Sequence, residues 1–167
     1  MAWTLFAQGE AVAPIPAESA LNTAAVAALA NAERVEAFRV DPLSHDATTT
    51  DGRIEGYRIT ATAPAQGRTF AARLGQVLQD ERTYYTGPAK GCKFSPGVVF
   101  RAWSGGSAVS VVLCFECDQL RATTRDEQGW VVHEARADCD PGRAALVRLA
   151  KEVFTEDAEI QDLVESR

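Results

Sequence analysis

The chain is poor in the features that mark several large classes of protein. Among its 167 residues are one methionine, two histidines (His45 and His133) and three lysines (Lys90, Lys93 and Lys151). No stretch approaches the roughly 18 consecutive apolar residues that a membrane-spanning helix needs, so no membrane span is expected. Glycine does not recur at every third position, which excludes a collagen-like chain. No phosphate-binding loop, dinucleotide fingerprint, metalloprotease helix or nucleophile elbow occurs. Neither Lys nor Arg occurs before Arg34, so the opening segment lacks the basic start of a secretory signal and the arginines of a transit peptide. A cytoplasmic chain and an exported chain with its signal removed both fit that pattern.

What is present describes a folded acidic domain. Hydrophobic residues make up 46% and charged residues 24%, with a net charge of −6. That is too apolar for a disordered chain and long enough to bury a core. The acid excess argues against a nucleic-acid partner, because phosphate binding needs a basic face, and it suits a basic protein partner instead. Arginine outnumbers lysine fourteen to three, a bias that reads as genome composition.

Periodicity predicts the elements. Residues 1–17 read as irregular, and Ser19 caps a helix near 18–32 with Leu21, Ala25, Ala28, Leu29 and Ala32 on one stripe. A strand follows at 33–41, then a polar loop over 42–53. Tyr57, Ile59, Ala61 and Ala63 alternate with polar residues as one face of a strand. Phe70, Leu74, Val77 and Leu78 mark an amphipathic helix near 68–81. Two hairpins come next: 98–103 with 108–115 around Gly105-Gly106, and 120–124 with 130–135 around 126–129. Asp140 as cap and Pro141 in the first turn start a helix near 141–154, and Thr155 caps a last one near 156–165. The order predicts a single α+β domain, with a mainly antiparallel sheet and helices packed on one side. The expected core is Leu29, Phe38, Tyr57, Ile59, Leu74, Leu78, Phe100, Val111, Leu113, Leu146, Leu149 and Val153.

The four cysteines, Cys92, Cys114, Cys117 and Cys139, stand in the spacing C-x21-C-x2-C-x21-C. Turning the first hairpin at Gly105-Gly106 sets Trp103 opposite Ala108 and Gly97 opposite Cys114, and carries Cys92 to the neighbourhood of Cys117. Turning the second with Arg125 opposite Trp130 sets Cys117 opposite Asp138, Cys139 opposite Glu116 and His133 opposite Ala122. The sequence-distant cysteines should therefore gather at a bend near Cys114 to Asp118. Disulfides suit Cα separations of about 4.4–6.8 Å, and in an oxidising compartment Cys92 should bond Cys114 or Cys117. C-x2-C is also the usual half-site for zinc, so the cofactor is none or zinc. It is a redox motif too, although that normally sits at a helix N-terminus. Unmodified cysteines simply pack as small buried hydrophobes.

Lys90 and Lys93 flank Cys92, where an ammonium group favours thiolate. Asp138, Asp140 and Glu116 fall near the cysteines and suit a hard cation, although capping already explains Asp140. Trp103, Trp130, Tyr84 and Tyr85 suit an aromatic patch or ordinary packing. His45 has no partner at a recognisable spacing. The segment Cys92-Lys93-Phe94-Ser95-Pro96, then a glycine hairpin and Leu113-Cys114-Phe115-Glu116-Cys117, resembles small uncharacterised bacterial proteins with a C-x-x-x-P … C-F-x-C pattern. The resemblance covers about 30 residues and implies a cysteine-bearing hairpin with no catalytic role. With no acid–base or nucleophile constellation, the expectation is a non-catalytic binding or interaction module. The alternatives are a thiol–disulfide redox protein using Cys114 and Cys117, and a small zinc-binding protein.

Overall fold

The computed structural model describes residues 21–166. The expected irregular segment 1–17 and the Ser19 cap lie outside that range. Asn22 caps α1 (Thr23–Ala30), its Oδ1 accepting from Ala25 N at 2.8 Å. The elements then run β1 (Arg34–Val40), β2 (Arg53–Ile54), β3 (Tyr57–Gly67), α2 (Arg68–Gln79), a 3-10 turn (Glu81–Thr83), β4 (Val98–Ser104), β5 (Ser107–Cys114), β6 (Gln119–Arg125), β7 (Val131–Asp138), α3 (Arg143–Val153) and α4 (Ala158–Gln161). All seven strands join one antiparallel sheet in the order β2-β3-β1-β4-β5-β6-β7. This is the expected α+β fold. Among the described residues, no helix is long and apolar enough to cross a membrane.

The helices bury their stripes on one face of the sheet. Leu29 from α1, Phe70, Leu74 and Leu78 from α2, and Leu146, Val147 and Ala150 from α3 meet Val35, Val98, Phe100, Val111, Leu113 and Leu120 in one apolar cluster. Phe70 meets Phe100 edge-on at 5.6 Å between ring centroids, a favoured aromatic geometry. Full burial of such side chains contributes about 1.5–3 kcal/mol each.

Three of the expected core residues sit elsewhere. Tyr57, Phe38 and Ile59 belong to a second, smaller cluster with Val40, Ile54, Val99 and Val112, on the face away from the helices. Phe38 and Ile59 are only half-buried. For Phe38 the cause is plain alternation: β1 pairs with β4 without a break, so Phe38 and Val40 face away from Val35 and Ala37. For Tyr57 and Ile59 it is the β1–β3 ladder, where β3 carries an extra residue opposite Val35/Ala37 and another opposite Arg39/Val40. Each bulge inserts a residue and reverses the faces beyond it. So β3 does not present one apolar face as its alternation predicts: Tyr57 and Ile59 pack outside, Ala63 against the main core.

The loop over 42–53 ends in a short strand that the polar composition hid. Ile54 pairs with Tyr57 across a two-residue turn in which Glu55 (φ 49°) and Gly56 (φ 84°) are both left-handed, the conformation of a type I′ hairpin. A Cβ on Gly56 would lie 2.8 Å from His45 Nε2, so glycine is required there. Glu55 reaches over the outer face, where its carboxylate accepts from Arg101 Nη2 at 2.7 Å and Arg125 Nη2 at 3.0 Å. Arg101 Nε also donates to Ser110 Oγ at 2.9 Å. One side chain thus ties the β2–β3 hairpin to β4, β5 and β6.

The first hairpin has the expected register, with Trp103 opposite Ala108 and Val98 opposite Leu113. The second is displaced by two residues. Arg125 faces Val131 rather than Trp130, and a bulge then sets Thr124 opposite His133 and Gln119 opposite Asp138. Asp126 is responsible: its carboxylate accepts from Gln128 N at 3.0 Å and Trp130 N at 2.9 Å, so Trp130 belongs to the turn. A shift of two keeps every side chain on its face but replaces the expected pairs of His133 with Ala122, Cys117 with Asp138 and Cys139 with Glu116. At the end of the chain, α3 starts from Gly142 without a side-chain cap, and Asp157 caps α4 in place of Thr155.

Glu55 gives the fold an acid dependence. Burial acts to raise its pKa, but hydrogen bonds from Arg125, Ser110 and Arg101, together with the charge of Arg125, outweigh burial and lower it. A carboxyl whose folded pKa lies below its unfolded value, about 4.3, contributes stability that is complete above that pH. The contribution is lost as pH falls through the folded pKa. Urea unfolding between pH 7 and pH 3 should therefore show a loss of stability in the wild type that is smaller in Glu55→Gln, the variant being less stable at pH 7.

Candidate functional site

The chain reverses between β5 and β6 in four residues, Phe115 to Asp118, with Asp118 in the left-handed region at φ 51°. Arg143, at the start of α3, holds this reversal from beneath. Its Nη1 donates to Phe115 O at 2.7 Å and to the Asp118 carboxylate, and its Nε donates to Val164 O at 2.9 Å. The side chains of Arg143 and Asp118 are 3% and 9% exposed, so this is a buried, charge-assisted pair. Asp118 O accepts from Cys139 N at 2.6 Å, which brings the end of β7 against the same turn. A hollow of ≈ 240 Å³ lies beside it, lined by Asp118, Asp140, Pro141, Arg143 and Glu165 among others.

The irregular segment over 84–97 crosses this end of the sheet. Tyr85 N donates to Asp138 O at 2.9 Å, and Gly97 N to Leu113 O at 3.1 Å. Between those anchors Lys90 Nζ donates to Cys117 O at 2.8 Å and pairs with the Asp140 carboxylate. Asp140 does not cap α3 with its side chain because the helix starts later, from Gly142. Its backbone O accepts from Arg143 N at 3.1 Å, and its Oδ2 is enclosed without a hydrogen-bond partner among the described residues. Cys92 and Cys117 lie at disulfide distance, their Cα atoms 6.0 Å apart. The Cys92 end is exposed and the Cys117 end buried. Cys114 and Cys139 are free thiols, both buried. Cys114 Sγ accepts from Ser95 N at 3.3 Å. Burial, reinforced by the charges of Asp118 and Asp140, pushes the Cys139 thiol far above its ordinary pKa, so it stays protonated and unreactive.

The remaining candidates do not come together. The ammonium of Lys90 is bound at Cys117 O and Asp140, away from a thiol, and Lys93 is exposed. Asp138 accepts from Gln119 Nε2 at 2.8 Å and from Lys90 N at 3.4 Å, while Glu116 is exposed on the turn. Among the described residues, no three His, Cys, Asp or Glu side chains form a group that could hold a metal ion. His133 faces Thr124, five residues from Asp138 along β7, about 16 Å at strand rise. His45 packs edge-on against Tyr57 at 4.8 Å.

The aromatic candidates are likewise separate. Tyr84 is buried with its hydroxyl donating to Leu78 O at 2.6 Å, and Tyr85 is exposed beside it. Trp103 Nε1 donates to Glu36 Oε2 at 2.8 Å. Trp130 stands 73% exposed at the far hairpin tip.

Sequence reasoning missed Arg143, Asp118 and Glu55, as well as an arginine cluster on the outer face. Arg101, Arg121, Arg125 and Arg136 are dispersed along three strands, and only the strand register assembles them. The dipeptide Glu55-Gly56 carried a usable signal, since an acidic residue before glycine suits a tight hairpin turn.

Three outcomes check this site. A thiol reagent such as DTNB should find almost no reactive cysteine in the native oxidised protein, two after unfolding without reductant, and four after reduction. Cys117→Ser should lose about 3 kcal/mol of stability in denaturant titration, from the loop that the crosslink closes, and Arg143→Ala about 3–5 kcal/mol, because it leaves a buried carboxylate unpaired.

No family model, curated protein or solved structure matches this chain.

Proposed function

We propose that the protein is a non-catalytic binding module whose cysteines serve its scaffold and whose acidic carboxy-terminal segment meets a basic protein partner. The observation that carries this reading is the state of the groups nearest the cysteines. Cys114 and Cys139 are enclosed at 1% and 3% exposure, and Lys90 and Asp140 hold each other. A nucleophile needs a base within hydrogen-bond reach. Among the described residues the hydrogen bond at Cys114 Sγ comes from a donor, Ser95 N, while Cys139 Sγ makes none. The surface offers a different asset. From Thr155 to Ser166 there are five carboxylates and no lysine or arginine. Arg39 pairs with Asp157 and Glu159, and Arg148 with Glu165, which leaves Glu156 and Asp162 without an ion pair among the described residues. With a net charge of −6, that surface attracts a basic partner at long range.

One feature supports a redox alternative, the solvent-facing sulfur of Cys92 in the Cys92–Cys117 pair. A dithiol substrate could attack Cys92 Sγ, releasing Cys117 as thiolate. Its second thiolate would then attack the mixed disulfide, leaving the substrate oxidised and the cysteine pair reduced. The two readings part experimentally. A fluorescent lysine-rich peptide titrated with the full chain should bind saturably, more weakly as salt rises, and more weakly still to Glu156→Gln/Asp162→Asn. No binding at any salt concentration overturns the proposal. Insulin reduction or oxidation that disappears in Cys117→Ser puts the redox reading in its place.

A further inference from the structure

On the face of the sheet away from the helices, Arg121 and Arg136 stand directly opposite each other on β6 and β7. Side chains so paired have Cβ atoms about 4.5–5.5 Å apart, and like charges there repel. The usual remedy is a carboxylate between them, and among the described residues neither arginine has one within ion-pair distance. The nearby acids, among them Glu134 and Asp138 two residues either side of Arg136 on β7, hydrogen-bond to other groups. Glu55 holds Arg101 and Arg125, Asp138 accepts from Gln119 and Lys90, and Glu134 accepts from Thr123 Oγ1 at 3.4 Å. Arg121 donates one Nη2 bond to Glu55 O at 2.9 Å, while its Nε is enclosed without an acceptor.

Both guanidinium groups rest on aromatic rings, which fix them in place. Arg121 lies 5.6 Å from the Tyr57 centroid and Arg136 4.6 Å from that of Phe94. A guanidinium over a ring gains a cation–π attraction and, with five N–H donors, keeps some to spare for a ligand. Tyr57 adds a hydroxyl with no hydrogen bond among the described residues. Burial raises the pKa of that phenol, with Arg121 and Arg136 acting against the rise and Cys114 adding to it. Phe94 is held over the sheet by the segment that the Cys92–Cys117 link fastens.

We propose that Arg121, Arg136 and the Tyr57 hydroxyl form a binding site for a phosphate dianion, free or as a monoester. Two guanidinium groups without an ion-pair partner among the described residues match a dianion, and N–H donors match the oxygens of a phosphoryl group. The site goes beyond the partner surface at the carboxy terminus and uses none of its residues.

The test uses the oxidised full-length protein and four probes at equal ionic strength: inorganic phosphate, glycerol phosphate, acetate and chloride. Thermal unfolding and calorimetric titration should show saturable stabilisation by the phosphates that chloride does not reproduce. Arg136→Gln, at an exposed position, should keep its fold, match or exceed the wild-type melting temperature without phosphate, and bind phosphate about tenfold or more weakly. Arg121→Gln should weaken binding by a similar factor, and an arginine elsewhere, as in Arg148→Gln, should leave it unchanged. Tighter binding of glycerol phosphate assigns a monoester and equal binding assigns the phosphoryl group alone; both uphold the site. No saturable binding, equal binding by acetate, or an unchanged affinity in Arg136→Gln overturns it.

Discussion

The interaction on which the cysteine-bearing end of the molecule depends is the buried pair between Arg143 and Asp118. A four-residue reversal with a left-handed aspartate is an unfavourable piece of backbone, and here it must also lie against the core. The arginine satisfies two of its groups, the Phe115 carbonyl and the Asp118 carboxylate, while a third bond to Val164 O ties down the end of the chain. Buried ion pairs are seldom net stabilising against an apolar replacement, because desolvation offsets the attraction. Their value lies in specificity. Only one placement of the turn satisfies the guanidinium, and that placement puts Cys117 where Cys92 can reach it and presents Cys117 O to Lys90.

The sheet divides the molecule's chemistry in two. Towards the helices the rows are mainly apolar, Thr124 and His133 facing each other in one of them, and the hydrophobic effect decides most of what packs there. On the other face a small apolar cluster shares the surface with arginines, one of whose carboxylate partners, Glu55, arrives on a two-residue turn. An arginine stem covers apolar surface while its head stays polar, so this face can be arginine-rich without exposing a large apolar patch. The bias of arginine over lysine, which composition suggested was incidental, has a structural use there. Arg121 and Arg136 lie over Tyr57 and Phe94, a contact that arginine makes more often than lysine.

The fold was largely legible because it rests on local signals. The stripes of α2 and α3 and the glycine tip of the first hairpin each determine their own element, and together they give the order of strands. Legibility stopped where one side chain altered a register. Asp126 drew Trp130 into its turn and moved β7 by two residues. A bulge of β3 moved Tyr57 and Ile59 to the other face, and α3 starts from Gly142 rather than from Asp140. Each is a local choice of backbone that spacing alone does not make. The gathering of Cys92 and Cys117 was readable because the first hairpin register carried it. The Arg121–Arg136 pair was not, since it required the second register, and Glu55 required a turn hidden in a polar loop.

The cysteines show how far proximity along a strand falls short of a common site. Cys114 ends β5 on the outer face, where the Ser95 amide meets its sulfur. Cys139 belongs to the apolar cluster beneath the helices, and Cys117 lies on the turn between them. A tetrahedral zinc site needs all four ligands about 2.3 Å from one point, and a sheet with side chains on opposite faces cannot bring Cys114 and Cys139 to it. The same separation explains the pairing that is present. Cys92 comes from an irregular segment free to approach the turn from outside, and Cys117 is the cysteine on that turn. The crosslink therefore closes the segment over the sheet edge without distorting a strand, and the two thiols left over remain packing residues on either side of it.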